Sequence, residues 1–307
     1  MPDTTPPESL RARREAQRRP VVRRRGVLAI VVILAVGGAL VAVVLSSGSS
    51  PAGRLGAAAP SASGGANAGR GHGGSELVRN ASPQPGWKPF TGPVPILVYH
   101  ALGTPPPSEA YPGLYVSDSE FRSEISWVAR HGYQAVTLDE VEQAWYHHGT
   151  LPDKPIVITF DNGYPAQVQF APKVLDKYGW PGVLFEITVG HLTPGYIKPV
   201  IAKGWEIDSH SATHPDLTTL SGSALAYQVA GSSRFLKRTF HVPSNNFCYP
   251  SSLYNAATVA AVRAAGYTGG VTETPGYASR DRPFELSRFE IEGGQGLAGL
   301  ASDLGSK

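Results

Sequence analysis

Short apolar runs alternate with amphipathic stretches over the last two thirds of the chain. Val94 to Tyr99, Tyr133 to Thr137, Pro155 to Phe160, Gly182 to Thr188 and Trp205 to Asp208 read as strands. Asn246 to Tyr249, Tyr267 to Thr272 and Leu286 to Ile291 continue the series. Between them the period lengthens. Ser117 and Glu120 are spaced as a capping box before Phe121, Ile125 and Val128, and Gly132 stops that helix. Thr137 and Glu140 repeat the spacing before a helix from Leu138 to His148. Ala166 to Tyr178, Ser223 to Phe240 and Ala256 to Ala265 are predicted helices as well. Strands alternating with helices imply parallel pairing and right-handed crossovers. With about seven strands, a barrel is favoured over an open sheet.

The first ninety residues follow other rules. Residues 1–25 carry eight Arg against Asp3, Glu8 and Glu15. They hold a net charge of +5 in a chain whose total is +3, so the remainder is slightly acidic. That gives no electrostatic case for nucleic-acid binding by the folded part. Val27 to Leu45 has no charged side chain, and its nineteen residues would span about 30 Å as a helix. The expectation is a basic cytoplasmic tail (1–25), one transmembrane helix (26–46), a flexible Gly/Ser/Ala/Pro linker (47–91) and an extracellular domain (92–307). A cleaved signal peptide is the competing reading.

The chemistry gathers at strand ends. Pro155-Ile156-Val157-Ile158-Thr159-Phe160 runs into Asp161-Asn162-Gly163. Read as a strand meeting the mouth of a parallel fold, it offers Asp161 as a base and Asn162 as a ligand; read locally, it is a hairpin turn. His210 and His214, four apart in a loop with Ser, Thr and Pro215, are either exposed or a pair of metal ligands. Two imidazoles and an oxygen ligand suit a divalent metal, with zinc the expectation. Such a metal acidifies bound water toward pKa ~7 and polarises a carbonyl. The lone Cys248 forbids an internal disulfide and reads as a small buried apolar residue.

ITFDNGY, SHSATHPDL and FCYPSSLYN, in this order, resemble the polysaccharide deacetylases (the NodB-like domain, carbohydrate esterase family 4). PILVYH before them is similar to the poly-N-acetylglucosamine deacetylase branch. The resemblance implies a distorted (β/α)7 barrel that removes N-acetyl groups from a glycan polymer, either poly-N-acetylglucosamine or peptidoglycan. It implies Asp161 as general base, His100 as general acid, and Asn162, His210 and His214 as metal ligands. Tyr249, Pro250 and Ser251 fall on the motif that lines the substrate and oxyanion site. Three positions depart from the family pattern. Asn162 stands for an aspartate, Pro250-Ser251-Ser252 for Pro-Tyr-Gly, and Cys248 for an arginine. Arg288 is the candidate to restore that last charge beside Asp161. The first two departures also support an alternative, a glycan-binding domain with a weak or inactive metal site.

Overall fold

Residues 83–305 are described by the computed structural model. The basic tail, the run Val27–Leu45 and most of the expected linker lie outside them. Among the described residues no helix is long and apolar enough to cross a membrane.

The central sheet has eight strands, all paired in parallel: β1 (Ile96–Tyr99), β2 (Gln134–Ala135), β3 (Pro155–Asn162), β4 (Val183–Glu186), β5 (Glu206–Ser209), β6 (Asn246–Cys248), β7 (Gly269–Val271) and β8 (Phe289–Glu290). The order is β7-β6-β5-β4-β3-β1-β8, with β2 paired to the start of β3. The chain just before β8 joins the two edges. Leu286 N donates to Gly270 O (2.8 Å) and Thr272 N to Leu286 O (2.9 Å), while Phe289 and Glu290 pair with Leu97 and Val98. The sheet therefore curls until one segment serves both edges, which fits a (β/α) barrel.

The two-residue period of the strands sorts their side chains. On β3, Ile156, Ile158 and Phe160 belong to the cluster packed under helix α1 (Asp118–Arg130) through Phe121, Ile125 and Val128. Val157 faces the other way, into a second cluster with Ile96, Val183, Phe185, Cys248 and Val271. Thr159 and Asp161 continue that inner row, so the strand's alternation carries a carboxylate into the barrel. The hairpin reading of Asp-Asn-Gly is thereby excluded: β3 has parallel neighbours, and the chain leaves it into a helix.

Both capping boxes form, at Ser117/Glu120 and Thr137/Glu140, the second opening α2 (Leu138–Tyr146). Two predicted helices are divided. The stretch Ala166–Tyr178 is two short helices, α3 (Pro165–Gln169) and α4 (Ala171–Leu175), followed by a 3-10 turn. Pro172 lacks the N–H that a continuous helix would need there. The stretch Ser223–Phe240 is α6 (Gly222–Ala226) and α7 (Ser232–Phe240), joined by a π turn over Tyr227–Gly231. The expected Ala256–Ala265 helix forms as α8 (Ala256–Ala264), whereas α5 (Pro194–Ile201) and the last helix, α9 (Gly296–Asp303), fall where the apolar pattern gave no signal. Trp180 and Trp205 are core residues.

Candidate active site

The carboxyl ends of the strands bring His100, Asp161, His210, His214, Cys248 and Arg288 together. Arg288 has no solvent exposure and grips Asp161 with both arms of its fork: Nη1 donates to Oδ1 at 2.8 Å and Nη2 to Oδ2 at 2.7 Å. Its Nε donates to Thr272 O (2.9 Å) and its Nη1 also to Thr159 Oγ1 (3.1 Å), so the guanidinium is fixed both from β3 and from the end of β7. Burial alone would favour the neutral acid. The arginine's charge and its two hydrogen bonds outweigh it and hold Asp161 well below the usual carboxylate range.

Cys248 is more than a filler. Burial pushes its thiol well above its ordinary pKa, so it stays protonated, and its Sγ donates to Asp161 Oδ2 at 3.2 Å. The Sγ also lies 3.2 Å from Arg288 Nη2. The positive charge expected of Arg288 thus lies beside Asp161, and position 248 adds a thiol donor to the same carboxylate.

His210 follows β5 directly. Its Nδ1 lies 2.9 Å from Cys248 O, and a carbonyl only accepts, so Nδ1 carries the proton and Nε2 keeps its lone pair. The ring of His214 stands 4.6 Å away, edge to face. Burial lowers both histidines, His210 to about 4 and His214 to about 3, so both imidazoles are neutral at pH 7. Ligand atoms of Asp161, His210 and Cys248 all lie within 4.8 Å of one another. The Asn162 side chain lies beside the Tyr164 hydroxyl.

His100, at the exit of β1, is buried between two acids that sequence reading passed over. Its Nε2 lies 3.7 Å from Glu273 Oε1 and its Nδ1 3.7 Å from Glu290 Oε1. Burial and the charge of Glu290 push the Glu273 carboxyl up. Neither glutamate stands in a recognisable motif. The only sequence signal was position: Glu273 follows β7, and Glu290 ends β8.

A buried amide ties acid to base. Gln167 donates from Nε2 to His100 O (2.5 Å) and Asp161 O (2.7 Å), and its Oε1 accepts from Tyr164 N (2.9 Å). One side chain on α3 thereby sets the separation of two strand ends. The remaining expected contacts are placed differently. Tyr249 is 1% exposed, packs on Phe247 and Tyr254, and donates its hydroxyl to Phe284 O (3.0 Å). Pro250 and Ser251 open a 3-10 turn in which Ser251 and Ser252 both have φ 53°. Asn162 (φ 81°), Ser211 (φ 67°) and His214 (φ 56°) are left-handed too. Non-glycine residues in that region are costly, and such strain gathers at functional sites. At Gly163 (φ 76°) the same conformation is taken by glycine, and a Cβ there would displace the buried Glu186 carboxylate.

Comparison with known proteins matches this geometry to one family. The family model for polysaccharide deacetylases fits residues 148–270. The Bacillus subtilis protein YxkH, a polysaccharide deacetylase by name, is 32% identical over 214 residues, covering 68% of this chain and 74% of YxkH. The chain belongs to the polysaccharide deacetylase family. That places it among hydrolases acting on carbon–nitrogen bonds other than peptide bonds. The poly-β-1,6-N-acetyl-D-glucosamine N-deacetylase of Staphylococcus aureus is 25% identical, over 50% of this chain and 60% of that protein. Among solved structures, the Streptococcus pyogenes deacetylase PplD in complex with acetate superposes with a TM-score of 0.65 at 25% identity. The match covers 70% of this chain and 99% of PplD.

Proposed function

We propose that this polysaccharide deacetylase hydrolyses N-acetyl groups on an N-acetylglucosamine-containing polymer outside the cell, releasing acetate with the aid of a divalent metal. The observation that carries the reading is the Asp161–Arg288 pair, a carboxylate kept ionised beside two neutral imidazoles and within reach of a third. The donor set fits a metal: His210 has a free Nε2, and His214 is neutral beside it. His210, His214 and Asn162 would hold zinc or a similar ion, which when bound acidifies water and polarises the acetyl carbonyl.

The chain's own residues then divide the work. Asp161 accepts a proton from the attacking water. Held so low, it is a weak base and takes that proton only from water more acidic than bulk. The water oxygen bonds to the carbonyl carbon and makes its oxygen an oxyanion; the carbon–nitrogen bond breaks as the carbonyl re-forms. His100, held between Glu273 and Glu290, donates a proton to the leaving nitrogen, so acetate and a free amine depart. A backbone N–H near Ser251 is the proposed oxyanion donor. The extracellular, membrane-anchored setting rests on the sequence of residues 1–46.

The test is acetate release by the full chain with added zinc, on β-1,6-linked N-acetylglucosamine oligomers and on peptidoglycan fragments. The PILVYH resemblance favours the first. Binding without release from either would support the glycan-binding alternative. A narrower expectation concerns Asn162, which brings an oxygen but no charge. Asn162→Asp should raise zinc affinity by on the order of tenfold, read by competition with a chelating dye. Unchanged affinity would remove Asn162 from the ligand set.

A further inference from the structure

The loop that carries the two proposed metal histidines is held by side chains. It turns through left-handed backbone at Ser211 and again at His214, neither a glycine. Its four successive N–H groups all find side-chain oxygens. Ser211 N donates to Ser209 Oγ (3.2 Å) and His214 N to Ser211 Oγ (2.9 Å). The two between them share one acceptor: Ala212 N (3.1 Å) and Thr213 N (2.9 Å) both donate to Gln228 Oε1. Gln228 Nε2 closes the contact by donating to Thr213 Oγ1 at 2.9 Å. One carboxamide thus makes three bonds, all to the span between the histidines.

Gln228 is itself anchored. It is 7% exposed and lies in the π turn Tyr227–Gly231, a kind of interruption that recurs at functional sites. Ser232 Oγ donates to Gln228 O (2.7 Å), and it also contacts Ser209 Oγ (2.6 Å), the last residue of β5 before His210. The helix is therefore pinned to the strand on one side of the histidine loop and grips the loop itself through the glutamine.

We propose that Gln228 is the positioning residue of the His210–His214 pair: its carboxamide fixes the strained loop so that both imidazoles are set before a metal arrives. The proposal rests on the reading of these histidines as metal ligands. The chemistry asks for a side chain of this length with an oxygen at its end. The amide supplies that one oxygen to two N–H groups and one donor to a hydroxyl. Asparagine is one methylene short of the loop. Glutamate keeps the shared oxygen, and the Thr213 hydroxyl can turn to donate to its second one.

The experiment measures zinc affinity of the full chain by competition with a chelating dye, alongside thermal melting of the metal-free protein. Gln228→Asn and Gln228→Leu should each weaken zinc binding about ten- to a hundredfold, the range seen when groups that orient metal ligands are removed. The metal-free melting temperature of Gln228→Asn should stay close to the parent. Gln228→Glu should retain affinity within about threefold, since the shared acceptor survives. Zinc binding by Gln228→Asn within twofold of the parent would overturn the proposal. So would failure of that variant to fold, which would make the glutamine a part of the helix layer and not of the loop. If the parent binds no zinc, or His210→Ala binds it equally well, the reading of the histidines as ligands is what fails.

Discussion

Replacing Arg288 with alanine is expected to abolish acetate release and to destabilise the domain by about 3–5 kcal/mol at pH 7. Two effects act together. The substitution leaves a carboxylate with no solvent exposure and no cation beside it. Burial then prevails, Asp161 takes up a proton, and a neutral acid accepts none from water. The pH dependence separates this from a simple packing loss. Asp161 has a depressed pKa in the folded protein, so its contribution is complete above the ordinary aspartate range. It drains as the pH falls below about 4 toward the folded value. Urea melts of the parent should lose stability across that window, and those of Arg288→Ala should not lose this component. Arg288→Lys restores the charge without the two-armed fit and should recover only part of either property. A rate and a melt like the parent's for Arg288→Ala would remove the arginine from the mechanism.

The second large effect is expected from Asp161→Asn, with kcat lower by about 10²–10⁴ and KM little changed. The amide is the same size and still accepts a hydrogen bond from the arginine, but it cannot take a proton. Zinc affinity should stay near the parent's, because the free lone pair of His210 does not depend on position 161. Steady-state acetate release and a zinc titration on one preparation decide the matter. Retention of more than about a tenth of kcat would move the base elsewhere, with Glu273 the candidate, since it shares a 4.8 Å cluster with Asp161 and His100.

How much of this could be read from the chain beforehand follows from where each residue sits. Asp161 and His100 end apolar runs, and a strand's alternation together with parallel pairing is enough to place them at one mouth. His210 and His214 stand out because two histidines four apart follow another such run. Arg288 was legible by demand: a carboxylate in that position needs a cation, and the motif's usual one was missing. Glu273 and Glu290 were not legible. They sit just beyond or at the end of short strands, and their meaning comes only from the way β7 and β8 flank His100 in space. Cys248 was read correctly as buried, but a thiol's contacts depend on which face of β6 it occupies. Gln167 and Gln228 are hardest. A glutamine in a helix reads as surface, and only the tertiary structure turns it inward. The interrupted helices were missed because periodicity averages over a window, whereas Pro172 and the π turn act at single residues.

The segment that joins both sheet edges also bears Arg288, and this has a consequence for how the protein is made. Asp161 and Arg288 are separated by 127 positions in the chain. During synthesis β3 leaves the ribosome long before its counter-charge exists. Until the last strand docks, Asp161 has no cation to balance it, and burying it is unfavourable. The inner face of β3 therefore cannot seal early, and closure of the sheet and pairing of the base with its arginine become one event. Contacts that span so much chain are slow to form. The nascent domain should thus remain inert toward glycans until its C-terminal segment is released, and truncation anywhere before residue 288 should leave an open, protease-sensitive sheet with no partial activity.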